Sequence, residues 1–145
     1  MKKKALTAGI MLCLIIISIY FSTPSPIVKN PDNVQIHWVS VVNSKYKTED
    51  ITSQIDRNQL VQTIGCYSRS RIPYRFAPYQ VAVGDIDIGY FDNGRLKHIS
   101  LGKVNVVYES ADKGGYKIYN NSKLINEINK MVITSFSPSA DSLNN

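Results

Sequence analysis

The chain has 145 residues, of which 43% are hydrophobic and 19% are charged, a balance typical of one folded domain and not of a disordered chain. Its net charge is +6, but Lys2, Lys3 and Lys4 supply half of it, which leaves 14 of the 17 basic residues against 11 acidic ones. This small remaining excess does not indicate a partner made of nucleic acid.

An uncharged hydrophobic segment, residues 5–22, follows a basic stub, residues 1–4. Its length is near the lower limit for a bilayer-spanning helix, and Tyr20 and Phe21 are the aromatic residues expected at a membrane interface. Lysines before an apolar run stay in the cytoplasm. The pattern therefore predicts a transmembrane signal-anchor of a single-pass cell-membrane protein, with a cytoplasmic N-terminus and the C-terminal domain outside. Membrane lipid is then a partner through residues 5–22.

Cleavage of this segment would instead give a secreted protein. A signal peptidase site needs small residues in an A-x-A-like pattern, and residues 23–25 offer Thr-Pro-Ser, with proline in the middle. A lipoprotein signal needs a small residue directly before a cysteine, whereas Leu12 precedes Cys13 inside the apolar run. An uncleaved anchor is the favoured hypothesis, and cleavage is the alternative.

The segment after the apolar run is predicted to lead into the folded domain. Pro24 and Pro26 end the helix, and the polar residues 23–33 are predicted to form an extended linker. Residues 34–42 alternate apolar and polar side chains and are rich in β-branched types, which predicts the first strand.

A short helix is predicted after Asp56, whose carboxylate can accept hydrogen bonds from the first free backbone N–H groups. Gln59 stands at the position that completes a capping box, and Ile55 and Leu60 occupy the hydrophobic-staple positions. Gly65 is predicted to adopt the left-handed conformation that ends such a helix.

The remaining elements are strands joined by turns, followed by one helix. Residues 80–90 alternate, with Gly84 as a predicted bulge, and Asn93-Gly94 predicts a type I′ hairpin turn. Further strands are predicted over residues 95–101, 104–109 and 116–119, a second helix over residues 123–132, and a flexible tail over residues 133–145. The predicted fold class is α+β, an antiparallel β meander of about five strands with two short helices packed on it, forming an extracytoplasmic domain over residues 34–132.

The order of these elements resembles small uncharacterised exported or membrane-anchored domains of Gram-positive bacteria. The resemblance covers about residues 34–132 and rests on Ile55-Asp56, Leu60, Ile64 and Tyr116–Ile118. It implies an exported location and an α+β fold, and it assigns no role to any residue.

The loop after the first helix interleaves arginines with aromatic residues and is the predicted binding site. Arginine presents a planar fork to carboxylates and phosphates, and both arginine and tyrosine recur at binding hot spots. The alternative is that the aromatic rings cover the core while the arginines are solvated. The predicted binding residues are Tyr67, Arg69, Arg71, Tyr74, Arg75, Phe76 and Tyr79.

Other groups with catalytic chemistry are scattered along the sequence. Asp85 and Asp87 lie on one side of a predicted strand, while His37, His98 and Cys66 lie on separate elements. The sequence has none of the local motifs of a nucleophilic or metal-dependent enzyme. We therefore predict a protein that is not an enzyme and has no cofactor or metal site.

The function predicted from the sequence is a membrane-anchored extracytoplasmic domain with a binding or regulatory role. Its partner would be a protein or an anionic ligand of the cell envelope, and not nucleic acid. An accessory structural subunit of an envelope complex is one alternative, and a small envelope hydrolase is another.

Overall fold

A computed structural model describes residues 2–75, 80–109 and 114–136, and within them the side chains from residue 9 to residue 132. The described residues form three α-helices, one 3₁₀ turn and eight strands. In chain order these are α1 (Lys2–Ser22), β1 (Ser25–Pro26), the 3₁₀ turn (Pro31–Asn33), β2 (Val34–Val42), β3 (Thr48–Asp50), α2 (Arg57–Gly65), β4 (Ser68–Arg69), β5 (Ile86–Asp92), β6 (Arg95–Leu101), β7 (Val106–Tyr108), β8 (Gly115–Lys117) and α3 (Asn121–Phe136).

Six of these strands form an antiparallel sheet in the order β3-β2-β5-β6-β7-β8. Asn93 and Gly94 join β5 to β6 with φ angles of 52° and 74°, so the predicted type I′ hairpin turn is confirmed. Beyond β8, an isolated bridge joins Arg69 of β4 to Ile118, and β4 in turn pairs with β1. The predicted α+β class with an antiparallel sheet is confirmed.

Helices α2 and α3 pack on one side of the sheet, which we call its inner face. The core lies between them and consists mainly of branched aliphatic side chains, as expected for elements that each bury one face. Its members from β2 and β5–β7 are Ile36, Val39, Ile86, Ile88, Tyr90, Ile99, Leu101 and Val107, and those from the helices are Leu60, Val61, Ile64, Leu124 and Ile128.

The predicted start of α2 is confirmed, whereas the left-handed conformation predicted for Gly65 at its end is wrong. Asp56 is the N-cap, and its Oδ1 accepts hydrogen bonds from the N–H groups of Asn58 at 2.9 Å and Gln59 at 3.1 Å. Gly65 is the last helical residue, and Cys66 continues in a right-handed conformation. Gly84, with φ of 87°, belongs to a turn before β5 and not to a bulge within a strand.

Residues 25–28 belong to the folded domain, which differs from the extended linker predicted for residues 23–33. Ser25 and Pro26 form β1, and the Ile27 N–H donates to the Tyr67 carbonyl at 3.0 Å. Ile27 and Val28 are buried in the core because they are the apolar pair in an otherwise polar stretch. The tail predicted over residues 133–145 begins as the last turn of α3, and residues 137–145 lie outside the described part of the chain.

The transmembrane helix predicted over residues 5–22 is wrong. The helix α1 covers Lys2–Ser22 and so starts within the lysine stub. Within the described residues, none of the helices combines sufficient length with sufficient apolar character to cross a bilayer. The predicted signal-anchor is therefore wrong, and so is the single-pass cell-membrane location with an outside domain. A lipid partner through residues 5–22 stays a prediction.

Candidate functional site

The inner face of the sheet changes from apolar to charged along three neighbouring strands. Strands β5 and β6 are paired residue by residue, so that Ile88 lies opposite Ile99 and Tyr90 lies opposite Lys97. The helices cover the aliphatic rows, and the next rows toward the Asn93-Gly94 turn are polar. On β5 the inner-face residues are Ile86, Ile88, Tyr90 and Asp92; on β6 they are Leu101, Ile99, Lys97 and Arg95; on β7 they are Val107 and Glu109, which directly follows the strand.

The charged rows border a cleft of about 940 Å³ at the end of the sheet that α2 and α3 leave uncovered. Residues from β5, β6 and β8 of the six-stranded sheet line it, together with β1, β4 and the end of α1. Five basic and two acidic side chains contribute, an excess of three positive charges. They are Lys29, Arg69, Arg71, Arg95 and Lys97, with Asp92 and Glu109.

The inner part of the cleft holds a network of ion pairs that is largely shielded from solvent. The Arg69 guanidinium bonds to Glu109, and Lys97 Nζ lies 2.6 Å from Asp92 Oδ2 and 3.7 Å from Glu109 Oε1. The Arg69 side chain is 11% exposed, and its guanidinium stacks 4.1 Å from the centroid of the Tyr116 ring. Arg69 is therefore fixed in position by a carboxylate and a ring.

Two polar atoms buried in this region have no hydrogen-bond partner among the described residues, Arg69 Nε and Tyr90 Oη. Tyr90 is fully buried, and burial raises the pKa of its hydroxyl well above the ordinary value, so the group is neutral at physiological pH. The nearby Asp92 and Glu109 carboxylates also raise this pKa, while the Arg69 charge opposes them. Buried donors without partners are rare in folded proteins. Arg69 lines the cleft, whereas Tyr90 belongs to the core beside it.

The outer part of the cleft carries basic side chains with open hydrogen-bonding capacity. Lys29 and Arg95 are exposed, and their side chains form no ion pair with any residue that the structure describes. Arg71 Nε donates to the Thr23 carbonyl at 3.0 Å, and its guanidinium lies 4.4 Å from the centroid of the Tyr20 ring. These contacts join the loop after β4 to the end of α1 and leave the terminal amino groups of Arg71 for other partners.

The structure brings two of the predicted loop residues, Arg69 and Arg71, into the cleft. Tyr74, which is 57% exposed, and the exposed Arg75 do not line it. Phe76 and Tyr79 lie outside the described residues.

Tyr67 has a structural position on the helix side of the domain. It is 8% exposed, and its hydroxyl donates to Glu127 Oε2 of α3 at 2.9 Å. Burial raises the pKa of Tyr67 to about 12, with the hydrogen bond and the charge of Glu127 acting in the same direction. This contact fastens the start of the loop to α3.

Asp87 and His98 meet on the opposite side of the sheet, which we call its outer face. Asp87 Oδ1 lies 3.0 Å from His98 Nε2 and accepts a hydrogen bond from Ser100 Oγ at 2.5 Å. Partial burial alone would raise the pKa of Asp87, but the hydrogen bonds from His98 and Ser100 and the His98 charge hold it below its ordinary value. Ser100 thus bonds to the carboxylate and not to the imidazole, unlike the serine of a nucleophilic triad.

The other candidate groups are held apart. Asp85 supports a turn, because its two carboxylate oxygens accept from the N–H groups of Ala82 at 2.8 Å and Lys103 at 2.9 Å. Cys66 is exposed at the end of α2, and His37 lies on the outer face beside Trp38. Among the described residues no three potential ligands of His, Cys, Asp or Glu lie close enough to hold a metal ion.

Five charged residues of the cleft were not among the predicted binding residues, namely Lys29, Asp92, Arg95, Lys97 and Glu109. A signal for three of them was present, since a type I′ turn fixes the register of β5 and β6 and so places Asp92, Arg95 and Lys97 on one face. The positions of Lys29 and Glu109 depend on pairing between distant segments.

No family model matches this chain, and no curated protein or solved structure is significantly similar to it.

Proposed function

We propose that this domain is a binding module whose cleft holds the oxyanion group of a ligand, a phosphate or a carboxylate. The observation that carries the proposal is the pair of buried unpartnered donors, Arg69 Nε and Tyr90 Oη, beneath an excess of three positive charges. An oxyanion that reached both donors would accept hydrogen bonds from them and neutralise part of that excess.

The ion pairs inside the cleft determine where the anion meets positive charge. Glu109 and Asp92 largely neutralise Arg69 and Lys97, so these two cations contribute hydrogen bonds more than net charge. The excess therefore lies at Lys29, Arg71 and Arg95 around the opening. Exposed cations attract an anion over distances of about 10 Å at moderate salt, which favours capture at the opening before contact with the buried donors.

The buried donors supply the selective part of the interaction. A hydrogen bond between an ionised donor and an anion contributes about 1.5–3 kcal/mol, roughly twice a neutral one. Glu109 and the Tyr116 ring hold the Arg69 guanidinium in place before any ligand arrives, so little conformational freedom is lost on binding.

The test is the thermal stability of the protein in sodium phosphate, in sodium succinate and in sodium chloride at matched ionic strength. A specific oxyanion site raises the melting temperature in phosphate or succinate above its value in chloride, because a ligand that binds only the folded state stabilises it by about 2.7 kcal/mol at 100 times its Kd. Comparing phosphate with succinate separates a phosphate site from a carboxylate site.

Two double variants that remove the same charge provide the control. Lys29→Ala/Arg95→Ala removes the cations at the opening, whereas Lys45→Ala/Lys47→Ala removes two exposed cations from the β2–β3 turn at the other end of β2. We expect the first to lose at least tenfold in affinity and the second to keep the wild-type affinity. Equal losses of affinity in both double variants would show an effect of net charge alone and would contradict the proposal that the cleft is the binding site.

Tyr90→Phe tests the buried donor without changing any charge. It deletes a hydroxyl that has no partner among the described residues, so the unliganded protein should be as stable as the wild type or more stable. Its affinity for the oxyanion should fall about three- to tenfold, the value of one hydrogen bond. Unchanged affinity would remove Tyr90 from the site.

A further inference from the structure

A row of ring side chains crosses the outer face of the sheet, on the side away from α2 and α3. Strand pairing places Trp38 of β2, Gly89 of β5, His98 of β6 and Tyr108 of β7 side by side in one row. The Trp38 and His98 rings lie 6.1 Å apart between centroids, and His98 and Tyr108 are stacked at 5.4 Å. The row therefore forms a continuous aromatic surface across four strands.

Two further rings extend this surface along the strands. His37 occupies the irregular step in the pairing of β2 with β5, and its ring lies 5.4 Å from that of Trp38 and 5.5 Å from that of Phe91. Leu96, opposite Phe91 on β6, is 46% exposed. We call the set His37, Trp38, Phe91, His98 and Tyr108 the aromatic row.

Gly89 creates the space in which the indole lies. A Cβ atom built on Gly89 would come within 2.3 Å of three atoms of the Trp38 ring, so the indole lies directly against the bare backbone of β5. A glycine in the middle of a strand weakens the sheet and often marks close approach by another group. Here that group is the indole, which packs across the strand instead of projecting away from it.

Hydrogen-bonding groups accompany the rings. The His98 side chain is 35% exposed and that of Asp87 is 38% exposed. Asp87 Oδ1 is occupied by His98 and Ser100, whereas Oδ2 has no partner among the described residues. An accessible carboxylate oxygen thus lies beside the rings.

We infer that the aromatic row binds an uncharged carbohydrate. Sugar rings present apolar C–H faces that fit flat aromatic side chains, and their hydroxyl groups donate to a carboxylate such as Asp87. An occupant that carries phosphate, including single-stranded nucleic acid, is disfavoured because the row contains no Lys or Arg and has the Asp87 charge beside it. The cleft has an excess of three positive charges, whereas the aromatic row has none and lies beside the Asp87 carboxylate, so the two sites should select different ligands.

Trp38 is the only tryptophan of the chain, so its fluorescence reports directly on the row. The probes are three hexasaccharides: β-linked glucose, β-linked N-acetylglucosamine and α-linked glucose. We expect at least one of them to change the Trp38 emission in a saturable manner, with a Kd at or below about 1 mM. No change with any of the three up to about 10 mM would overturn the inference.

Two variants keep the fluorophore and alter the row. Gly89→Ala displaces the indole, and His98→Ala removes a neighbouring ring together with its contact to Asp87. We expect each to weaken binding at least tenfold. Tyr46→Asn is the matched control, because it removes an exposed ring outside the row at a position whose φ of 56° suits asparagine.

Unaltered affinity in Tyr46→Asn and lost affinity in the other two would support a carbohydrate site. Equal losses of affinity in all three variants would contradict the inference that the aromatic row is the binding site. Gel filtration of the unliganded protein adds one more outcome, since a dimer that Gly89→Ala dissociates would show that a second copy covers this face and would overturn the inference. Phosphate binding in the cleft should be the same in all these variants.

Discussion

The two ends of the inner face are built on the same strands, but they differ in the chemistry of their side chains and in whether helices cover them. At one end, Ile88 and Ile99 lie in an aliphatic core under two helices; at the other, Lys97 and Arg95 line an open charged cleft, and Tyr90 is the last core residue before it. The change happens between one inner-face position and the next, about 6.6 Å along a strand. The alternation of inward and outward residues continues without interruption, so strand geometry alone does not determine which end is open to a ligand. The open end is the one that α2 and α3 do not cover.

Stability should therefore be concentrated at the covered end. Ile88 is fully buried, and Ile88→Ala should lower the free energy of unfolding by about 2 to 5 kcal/mol, from lost burial and the cavity left behind. Urea denaturation monitored by circular dichroism measures this change. Val107→Ala, in the same layer on β7, is a second core variant and should also be destabilising, by less because fewer methyl groups are removed. A loss below 1 kcal/mol for Ile88→Ala would contradict the division into a core end and a binding end.

The ion pairs at the open end should contribute less, and their effect should be reversible by a second substitution. Arg69→Met leaves Glu109 without its main partner in a mostly shielded position and should cost about 1 to 3 kcal/mol. Glu109→Gln in the same chain removes the unpaired charge and should recover much of this loss. A full double-mutant cycle in urea measures the coupling between the two residues. Additive losses would show that the pair is not a unit.

The sequence predicted elements whose signals are local and missed features that depend on distant pairing. The Asp56 cap and the Asn93-Gly94 turn were predicted correctly, because each depends on two to four consecutive residues. Gly65 was assigned a left-handed conformation because glycine favours it, but the helix continues through this residue. The core position of Ile27 follows from the pairing of β1 with β4, about 40 residues away, which no local pattern reveals.

The binding residues, too, were predicted only where a local pattern of the sequence indicates them. The sequence predicted a loop of arginines and aromatic residues, and the structure places Arg69 and Arg71 in the cleft while Tyr67 fastens α3. The predicted Asp87 and His98 lie together because strands β5 and β6 pair in the register of the hairpin. The aromatic row was not predicted, although Trp38 was placed on a strand, since the five members of the row come from four different strands.

Substitution of the N-cap residue of α2 tests how strongly the stability of this helix depends on one side chain. Asp56→Ala removes the acceptor of two backbone N–H groups and should cost about 1 kcal/mol. Asp32→Ala is the control, because it removes an exposed carboxylate at the 3₁₀ turn, where Asn30 is the cap. Urea denaturation at neutral pH should show the loss for Asp56→Ala and almost none for Asp32→Ala. Equal losses would attribute the effect to charge and not to capping.

The smallest expected effect separates the outer face from the cleft through its pH dependence. The pKa of Asp87 is below its ordinary value of 3.8 in the folded protein, so the ionised carboxylate stabilises the fold at neutral pH. That contribution is complete above the unfolded-state pKa and is lost as pH falls through the lower folded-state pKa. Asp87 is more than a third exposed, so the amount should be below about 1 kcal/mol. The difference in free energy of unfolding between the wild type and Asp87→Asn should decrease as the pH falls below about 4, where the Asp87 carboxylate of the unfolded chain takes up its proton. A difference that grows toward acid pH would mean that Asp87 is destabilising when ionised, and its hydrogen bonds with His98 and Ser100 would then not outweigh its burial.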